Sequence, residues 1–435
     1  MPATMRIRQA ENWLEQRQMF SIKLGLDTTR ALLADLGDPQ ERLKIIHIAG
    51  TNGKGSVGAI LLAILAAAGF RTGLYSSPHL VDVRERFRIN NTLMEPADFA
   101  ELAARLATLI AARTHQPTYF ECTTLLALMW FAQQGVDAVI LETGMGGRLD
   151  ATNVVVPQVA IITDISHDHE QYLGQTLTAI AGEKAGIIKS SIPTVVSGRM
   201  PETAGVIEAR CRQLRSPLFM FGRDFSAHAS ADNTFTYQTI SGTTLSALPL
   251  PLHGAHQVIN AALALATLEV LAPVFSVATE AFTTGLRQVR WPCRLELLTV
   301  RKQEKTVRVL LDGAHNEAGV AALVQELRAS HAHRNILLIW GNMADKNIGQ
   351  PFFDLASLAK VIMFTRTESP RFTAPEALFA CLPPGMRAKA SWCESVAQAL
   401  AMWVEQAGPD DLVCVTGSLY LAGQARRILV GGDGT

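Results

Sequence analysis

Three observations predict an α/β fold in two domains. The first is residues 43–69, LKIIHIAGTNGKGSVGAILLAILAAAG, in which a β-branched apolar run leads through a glycine-rich loop into a long apolar stretch. Apolar runs of that kind suit strands buried on both faces of a parallel sheet. The second is the recurrence of such runs, at 72–76, 136–141 and 159–165, separated by helical stretches. The third is a break at Trp291-Pro292-Cys293-Arg294, after which a fresh strand–helix alternation starts at Leu295. Together they predict an N-terminal P-loop-type mononucleotide-binding parallel sheet with flanking helices over 1–290, and a smaller C-terminal Rossmann-like α/β domain over 295–435. Residues 291–294 form the linker.

At 435 residues the chain is too long for one ordinary core. A hydrophobic content of 48% with 18% charged residues is normal for a globular α/β enzyme and argues against extended disorder. Lys+Arg and Asp+Glu balance at 39 each, which provides no electrostatic case for a nucleic-acid partner. The first twenty residues hold no apolar core of signal-peptide length. The longest apolar stretch, 57–70, is shorter than the ~20 residues a spanning helix needs. Cys122, Cys211, Cys293, Cys381, Cys393 and Cys414 form no C-x-x-C pair, as expected of reduced thiols. A cytoplasmic protein with no membrane partner is expected, and a monomer.

The first forty residues read as mostly helical; in 23–40, Leu26, Leu32, Leu33 and Leu36 form an apolar face and Gly37-Asp38-Pro39 ends it. In the glycine loop that follows, Asn52, Gly53, Lys54, Gly55 and Ser56 form a phosphate cradle. Glycines let the backbone wrap an anion, the helix N-terminus aims N–H groups at it, and Lys54 adds a mobile cation. The loop departs from G-x-x-x-x-G-K-[ST]: Ile48 stands at the first glycine, Gly55 follows the lysine, and Ser56 comes one place late. Gly69 is placed to stop the helix. The second run leads to Ser77-Pro78, which by itself reads as a turn. Residues 96–113 and 123–134 read as helices, and Phe120 and Glu121 between them as a core aromatic and a cap. The run at 136–141 delivers Glu142 to the carboxyl end of its strand, where open α/β sheets bind ligands. Arg148 and Asp150 follow in a glycine-rich loop suited to a polar substrate. After 159–165 two histidines, His167 and His169, compete as metal ligands. In 176–189, Lys184 reads as a solvated lysine. Residues 223–252 alternate as antiparallel hairpins, and Gln257 and Asn260 share one face of the next helix. The second domain is expected to have strands near 307–311, 336–339, 361–364 and 412–415, the first ending in Asp312-Gly313-Ala314-His315-Asn316.

GTNGKGS, SSPHL, YFE, ETGMGGRLDATN, DHEQYLG, GEKAGIIK, HQVIN, Arg294 and DGAHN, in that order, resemble the folate branch of the Mur ligase superfamily: folylpolyglutamate synthase and dihydrofolate synthase. The resemblance spans essentially the whole chain and makes 1–290 a Mur ligase central-type domain and 295–435 a glutamate ligase domain. It implies an ATP-dependent carboxylate–amine ligase adding L-glutamate to dihydropteroate, to a reduced folate, or to both, through an acyl phosphate. It implies two magnesium ions, with Ser77 and Glu142 on one, and His169 and a carbamylated Lys184 on the other. The spacing to Leu173-Gly174 selects His169 over His167. Lys54, Glu142, His169 and Lys184 become the catalytic set. ATP is given to the loop residues with Asn260, Arg294, Asp312 and His315 from either side of a cleft, and the folate to Phe120, Glu121, Arg148, Leu149 and Asp150, with 23–40 bordering the pterin pocket. Where the family usually has glycine, this chain has Cys293. Two alternatives stand beside this reading: a Mur-type ligase acting on a cell-wall nucleotide precursor, and a non-catalytic ATP-binding regulator.

Overall fold

The computed structural model describes residues 7–19, 25–111, 113–230, 232–302, 305–346, 349–369 and 371–431. Of the segment expected to border a pterin pocket, Lys23 and Leu24 lie outside the described residues. Two compact units are present. One comprises Met1–Pro78, Asp82–Pro251 and Gln257–Arg290, the other His79–Val81, Leu252–His256 and Trp291–Thr435. Two short pieces of the N-terminal stretch thus belong to the second unit, which a linear reading of domain limits does not anticipate.

The first unit is built on an eight-stranded sheet. Its strands are β1 (Ile45–Ala49), β2 (Thr72–Tyr75), β3 (Phe87–Ile89), β4 (Thr92–Leu93), β5 (Ala138–Glu142), β6 (Val159–Ile162), β7 (Thr194–Val196) and β8 (Leu218–Met220). Their order is β4-β3-β2-β5-β1-β6-β7-β8, parallel from β2 through β8, with β3 and β4 antiparallel at one edge. Every residue of β1 and β5 is buried, which is why neither shows the polar alternation of a half-exposed strand. Helix Lys54–Ala67 follows β1 directly and is buried on almost every face. It ends as expected: Gly69 takes a φ of 90°, and the Phe70 N–H reaches back to the Leu65 carbonyl.

Helix Tyr119–Gln134 starts earlier than its apolar pattern suggests, so Phe120 and Glu121 occupy its first turn. Thr118 and Glu121 form a reciprocal capping box, with Glu121 N–H on Thr118 Oγ1 at 3.2 Å and Thr118 N–H on Glu121 Oε2 at 2.7 Å. The 223–252 stretch forms the antiparallel sheet of β9 (Ser226–Ala229), β10 (Thr234–Gln238) and β11 (Thr244–Pro249). It is pinned to helix His256–Val270 by a short hydrogen bond from the Tyr237 hydroxyl to the Glu269 carboxylate.

The second unit carries β12 (Glu296–Lys302), β13 (Lys305–Leu311), β14 (Asn335–Trp340), β15 (Ala359–Phe364), β16 (Ala390–Trp392) and β17 (Asp411–Thr416), ordered β12-β13-β17-β14-β15-β16. The four buried strands are those legible as apolar runs. β12 pairs antiparallel with β13, and β16 is a three-residue edge strand with Trp392 exposed. Short or edge strands bury too little to leave a sequence pattern, so both escaped the reading. Cys293 and Leu295 hold left-handed backbone, with φ of 58° and 49°. A glycine at 293 would take that conformation without strain, whereas Cys293 has its side chain buried in the second unit's core.

Candidate active site

The carboxyl ends of β2, β5, β1 and β6 lie side by side, and the expected site residues emerge there. Tyr75 pairs with Leu141 across β2 and β5, which brings the Ser77 turn alongside Glu142. Ile48 pairs with Glu142 on one side and with Ile161 on the other, so the glycine loop leaves the sheet between Glu142 and the His169 loop.

Gly53 adopts a φ of 90°, and a Cβ there would fall 2.5 Å from Asn260 Oδ1. Only glycine admits both the conformation and the contact. Asn260 is buried and also donates to Gln257 Oε1 at 2.9 Å, so HQVIN meets the glycine loop directly. Lys54 Nζ folds back to the carbonyls of Gly50 at 2.9 Å and Thr51 at 3.3 Å. The loop is braced by the segment after β6. Thr51 N–H donates to the Asp164 carbonyl at 2.7 Å, Thr51 Oγ1 to the Ser166 carbonyl at 3.0 Å, and Thr163 Oγ1 to the Asn52 carbonyl at 2.7 Å. Gly55 and Ser56 are the second and third residues of the helix, and Ser56 is buried.

Glu142 is the last residue of β5 and is buried. β6 stops at Ile162, earlier than predicted, so His167 and His169 sit on a loop. His167 pairs with Glu170 at 2.8 Å, with both side chains about half exposed. His169, with a φ of 51°, has its side chain about two-thirds buried and its Nε2 3.9 Å from Asp168 Oδ1. Lys184 ends helix Leu177–Lys184 and is buried, not the solvated lysine of the bare sequence reading. Burial first, and then the positive charge of Lys54, lower its pKa to about 7, against the opposing pull of Asp168, Asp150 and Asp164. Close packing places it there: a Cβ on Gly147 would lie 2.9 Å from the carbonyls of Glu183 and Lys184, and one on Gly186 would lie 2.3 Å from Arg148 Cα. Gly186→Ala is therefore expected to push the lysine helix off this loop. It should lower the melting temperature and cut turnover at least tenfold, as thermal unfolding and phosphate-release assays would show.

The residues expected at a folate divide. The Phe120 ring lies over Gly144, where a Cβ would come within 2.5 Å of it, and 6.0 Å from the Tyr75 ring. Glu121 is buried, holding the cap and accepting from Thr29 Oγ1 at 3.4 Å. Arg148 is exposed and paired with Glu183 at 2.8 Å, while Leu149 is half-buried. Asp150, expected to hold a polar substrate, also engages its own loop. Its Oδ2 accepts the N–H groups of Gly144 and Met145, both at 2.9 Å, and its Oδ1 accepts Thr152 N–H at 3.0 Å and Thr152 Oγ1 at 2.5 Å. Buried and fully engaged, this carboxylate shapes the loop.

In the second unit, Asp312 has a similar inward role. It accepts the N–H groups of Leu295 and Ala314, each at 2.9 Å, and burial raises its pKa against the pull of Arg294. Arg294 passes over Gly313, where a Cβ would meet Nη1 at 2.7 Å, and donates to the Cys293 carbonyl at 3.1 Å. His315 donates from Nδ1 to the Gly313 carbonyl at 2.8 Å.

Residues 48–268 match the Mur ligase middle domain, and residues 294–419 match the Mur ligase glutamate ligase domain. A dihydrofolate synthase/folylpolyglutamate synthase of Bacillus subtilis is 34% identical over 97% of this chain and 99% of the relative. The chain belongs to the Mur ligase family, in its folylpolyglutamate/dihydrofolate synthase branch. The enzyme of the same name from Escherichia coli is 33% identical over 96% of this chain and 94% of its own. Among solved structures, Mycobacterium tuberculosis folylpolyglutamate synthase complexed with ADP and AMPPCP superposes with a TM-score of 0.88 at 32% identity, covering 97% of this chain and 98% of the other. Escherichia coli FolC in complex with DHPP and ADP gives 0.88 at 31% identity, over 100% and 99%. This Mur ligase is an ATP-dependent ligase, and no helix among its described residues is long and apolar enough to cross a membrane.

Sequence reasoning missed Asp164, whose carbonyl braces the glycine loop and whose carboxylate bears on Lys184. It also missed His47, fully buried within β1. No local signal marks either residue, since each acts on a partner more than a hundred positions away or on another element. Burial, with Lys189 adding to it, lowers the His47 pKa to about 3 from an ordinary 6.5. Between those values the unfolded chain takes up a proton that the folded one refuses. Stability is therefore lost as pH falls from 6.5 towards 3, by up to about 1.4 kcal/mol per pKa unit. Denaturant titrations of the wild type and His47→Gln across that range should show the variant to be less acid-sensitive.

Proposed function

We propose that this Mur ligase adds L-glutamate to dihydropteroate and to a reduced folate monoglutamate, activating the acceptor carboxylate as an acyl phosphate. The reading is carried by Lys184, an amine with a pKa near 7 buried beside the phosphate loop. Such an amine is uncharged often enough to add carbon dioxide, and the resulting carbamate turns a cation into an oxygen ligand. Among the described residues no three His, Cys, Asp or Glu side chains cluster to hold a metal by themselves. A magnesium site here needs other oxygens. Ser77 and Glu142 offer a hydroxyl and a carboxylate for one ion, and His169 with carbamylated Lys184 offers a second set. Phosphates supply the rest, as is usual for this hard cation. Bound there, magnesium would neutralise charge on the phosphates and on the acyl phosphate.

The chain's own groups then act in sequence. The loop amides and helix N-terminus hold the phosphates, and Lys54 exchanges its carbonyl partners for them. An acceptor carboxylate oxygen attacks the γ-phosphorus and ADP leaves. The amine of glutamate attacks the activated carbonyl, and phosphate departs as the tetrahedral adduct collapses. Both encounters bring anions together or develop charge, so positioning and neutralisation are the protein's work. Asn260, Arg294, Asp312 and His315 are assigned to ATP, and Phe120, Glu121, Arg148, Leu149 and Asp150 to the folate side.

Dihydropteroate and a folate monoglutamate share the pterin and the aminobenzoyl spacer but present their carboxylates at different reach. Paired steady-state assays with ATP, magnesium and L-glutamate should show turnover of both. Glutamate addition to only one of them would reject the dual reading, and to neither would reject folate ligation. Glu121→Gln preserves the helix cap, and it should weaken dihydropteroate use more than folate use, by several-fold in kcat/KM.

A further inference from the structure

β1 carries one polar side chain, His47, among Ile45, Ile46, Ile48 and Ala49 in the middle of the central sheet. Its Nε2 lies 2.9 Å from Thr152 Oγ1, and that oxygen lies 2.5 Å from Asp150 Oδ1. Both oxygens of Asp150 also accept backbone N–H groups, as an ionised carboxylate does, so the single proton of the Thr152 hydroxyl goes to Oδ1. Thr152 must then accept from the histidine, which fixes a neutral ring with its proton on Nε2. Among the described residues, the other ring nitrogen, Nδ1, is buried with no hydrogen-bond partner. An apolar residue would suit this strand without that cost, so packing alone does not account for a histidine here.

The constraint passes outward through Asp150 Oδ2 to the N–H groups of Gly144 and Met145. These residues open the loop that follows Glu142 and Thr143, and Gly144 lies beneath the Phe120 ring. The far end of the same loop is fastened separately, by Asn153 Nδ2 to the carbonyls of Arg148 at 2.9 Å and Gly186 at 3.1 Å. A chain of donors thus runs from the strand feeding the phosphate loop to the start of the loop on the folate side.

We propose that His47 is a positioning residue of the ligase. By donating to Thr152 it turns the threonine hydroxyl onto Asp150, and Asp150 so oriented sets the Gly144–Met145 turn. His47 touches no substrate. Its effect on folate use rests on assigning the 143–150 loop to the folate, whereas its effect on the turn does not.

The test therefore has two readouts on the full-length enzyme. His47→Leu fills the site without a donor, His47→Gln returns an N–H near the Nε2 position, and Thr152→Val removes the hydroxyl. In amide hydrogen exchange without substrate, Gly144 and Met145 should exchange about tenfold faster in His47→Leu and Thr152→Val, the size of one lost hydrogen bond. They should remain near wild type in His47→Gln. In steady state, His47→Leu should raise KM for a reduced folate about tenfold while KM for ATP stays within about twofold. The double variant His47→Leu/Thr152→Val should be no worse than Thr152→Val, because the two act through one hydrogen bond. Unchanged exchange at Gly144 and Met145, or full additivity in the double variant, overturns the proposal. Faster exchange with an unchanged folate KM retains the relay and rejects the folate assignment of the loop. If His47→Leu does not fold, the comparison of Thr152→Val with His47→Gln decides by the same exchange criterion.

Discussion

Lys54→Ala is expected to lower glutamate-dependent phosphate release by about 10²–10³-fold or more, the range seen when one preorganised electrostatic contact to a reacting group is removed. The lysine is partly exposed at the first position of its helix, and among the described residues its ammonium bonds to the carbonyls of Gly50 and Thr51 in the preceding loop. Its loss leaves no charge unpaired, so the melting temperature should change little. A second consequence follows from its neighbour. The positive charge of Lys54 helps to lower the Lys184 pKa, so its removal should raise that pKa and reduce the uncharged fraction of Lys184 at neutral pH. Lys54→Arg keeps the charge but not the compact ammonium, and it should restore the Lys184 behaviour better than the turnover. A Lys54→Ala enzyme that kept most of its phosphate release would overturn the assignment of the loop.

Lys184→Ala should be comparably inactive, with partial recovery when a small carboxylate such as formate or acetate is supplied to stand where the carbamate would. Activity of the wild type should depend on dissolved carbon dioxide, falling in carefully degassed buffer and returning on addition of bicarbonate. The pH dependence has a definite sign. Carbamate forms from the uncharged amine, whose share grows as pH rises through about 7, so acid conditions should slow its formation. The same burial makes Lys184 a folding liability at low pH. Between about 7 and 10.5 the unfolded chain binds the proton and the folded chain does not, so this liability is relieved as pH rises across that window. Intact mass measured without acid, on active metal-loaded enzyme, should show one added carbon dioxide. A bare amine there would reject the carbamate.

Much of the scaffold was legible because it obeys local rules. The strand–loop–helix of 43–69, the Gly69 stop and the arrival of Glu142 at a strand end follow from apolar runs and glycine placement, and each is present. The antiparallel texture of 223–252 was legible for the same reason, its side chains alternating between two environments. β12 and β16 were not, because each is an edge strand that buries too little to leave an apolar run. The start of helix Tyr119–Gln134 was misjudged because the polar Glu121 belongs to its first turn.

By itself, the sequence determined the α/β class, the strand–glycine loop–helix unit, the order of the motifs and the Mur-type ligase reading, since all of these are written in contiguous residues. Tertiary structure alone decided which polar side chains look inward. Asp150 and Asp312 read as substrate-facing acids, yet both are engaged with backbone N–H groups of their own loops. Without the family resemblance Lys184 reads as a surface lysine, and Gly147 and Gly186 bring its helix close enough to the loop to bury it. His47 carried no signal at all, and its partner Thr152 lies 105 residues away. Desolvation, and the hydrogen bonds that offset it, depend on everything packed around a group, and no window of neighbouring residues contains that information.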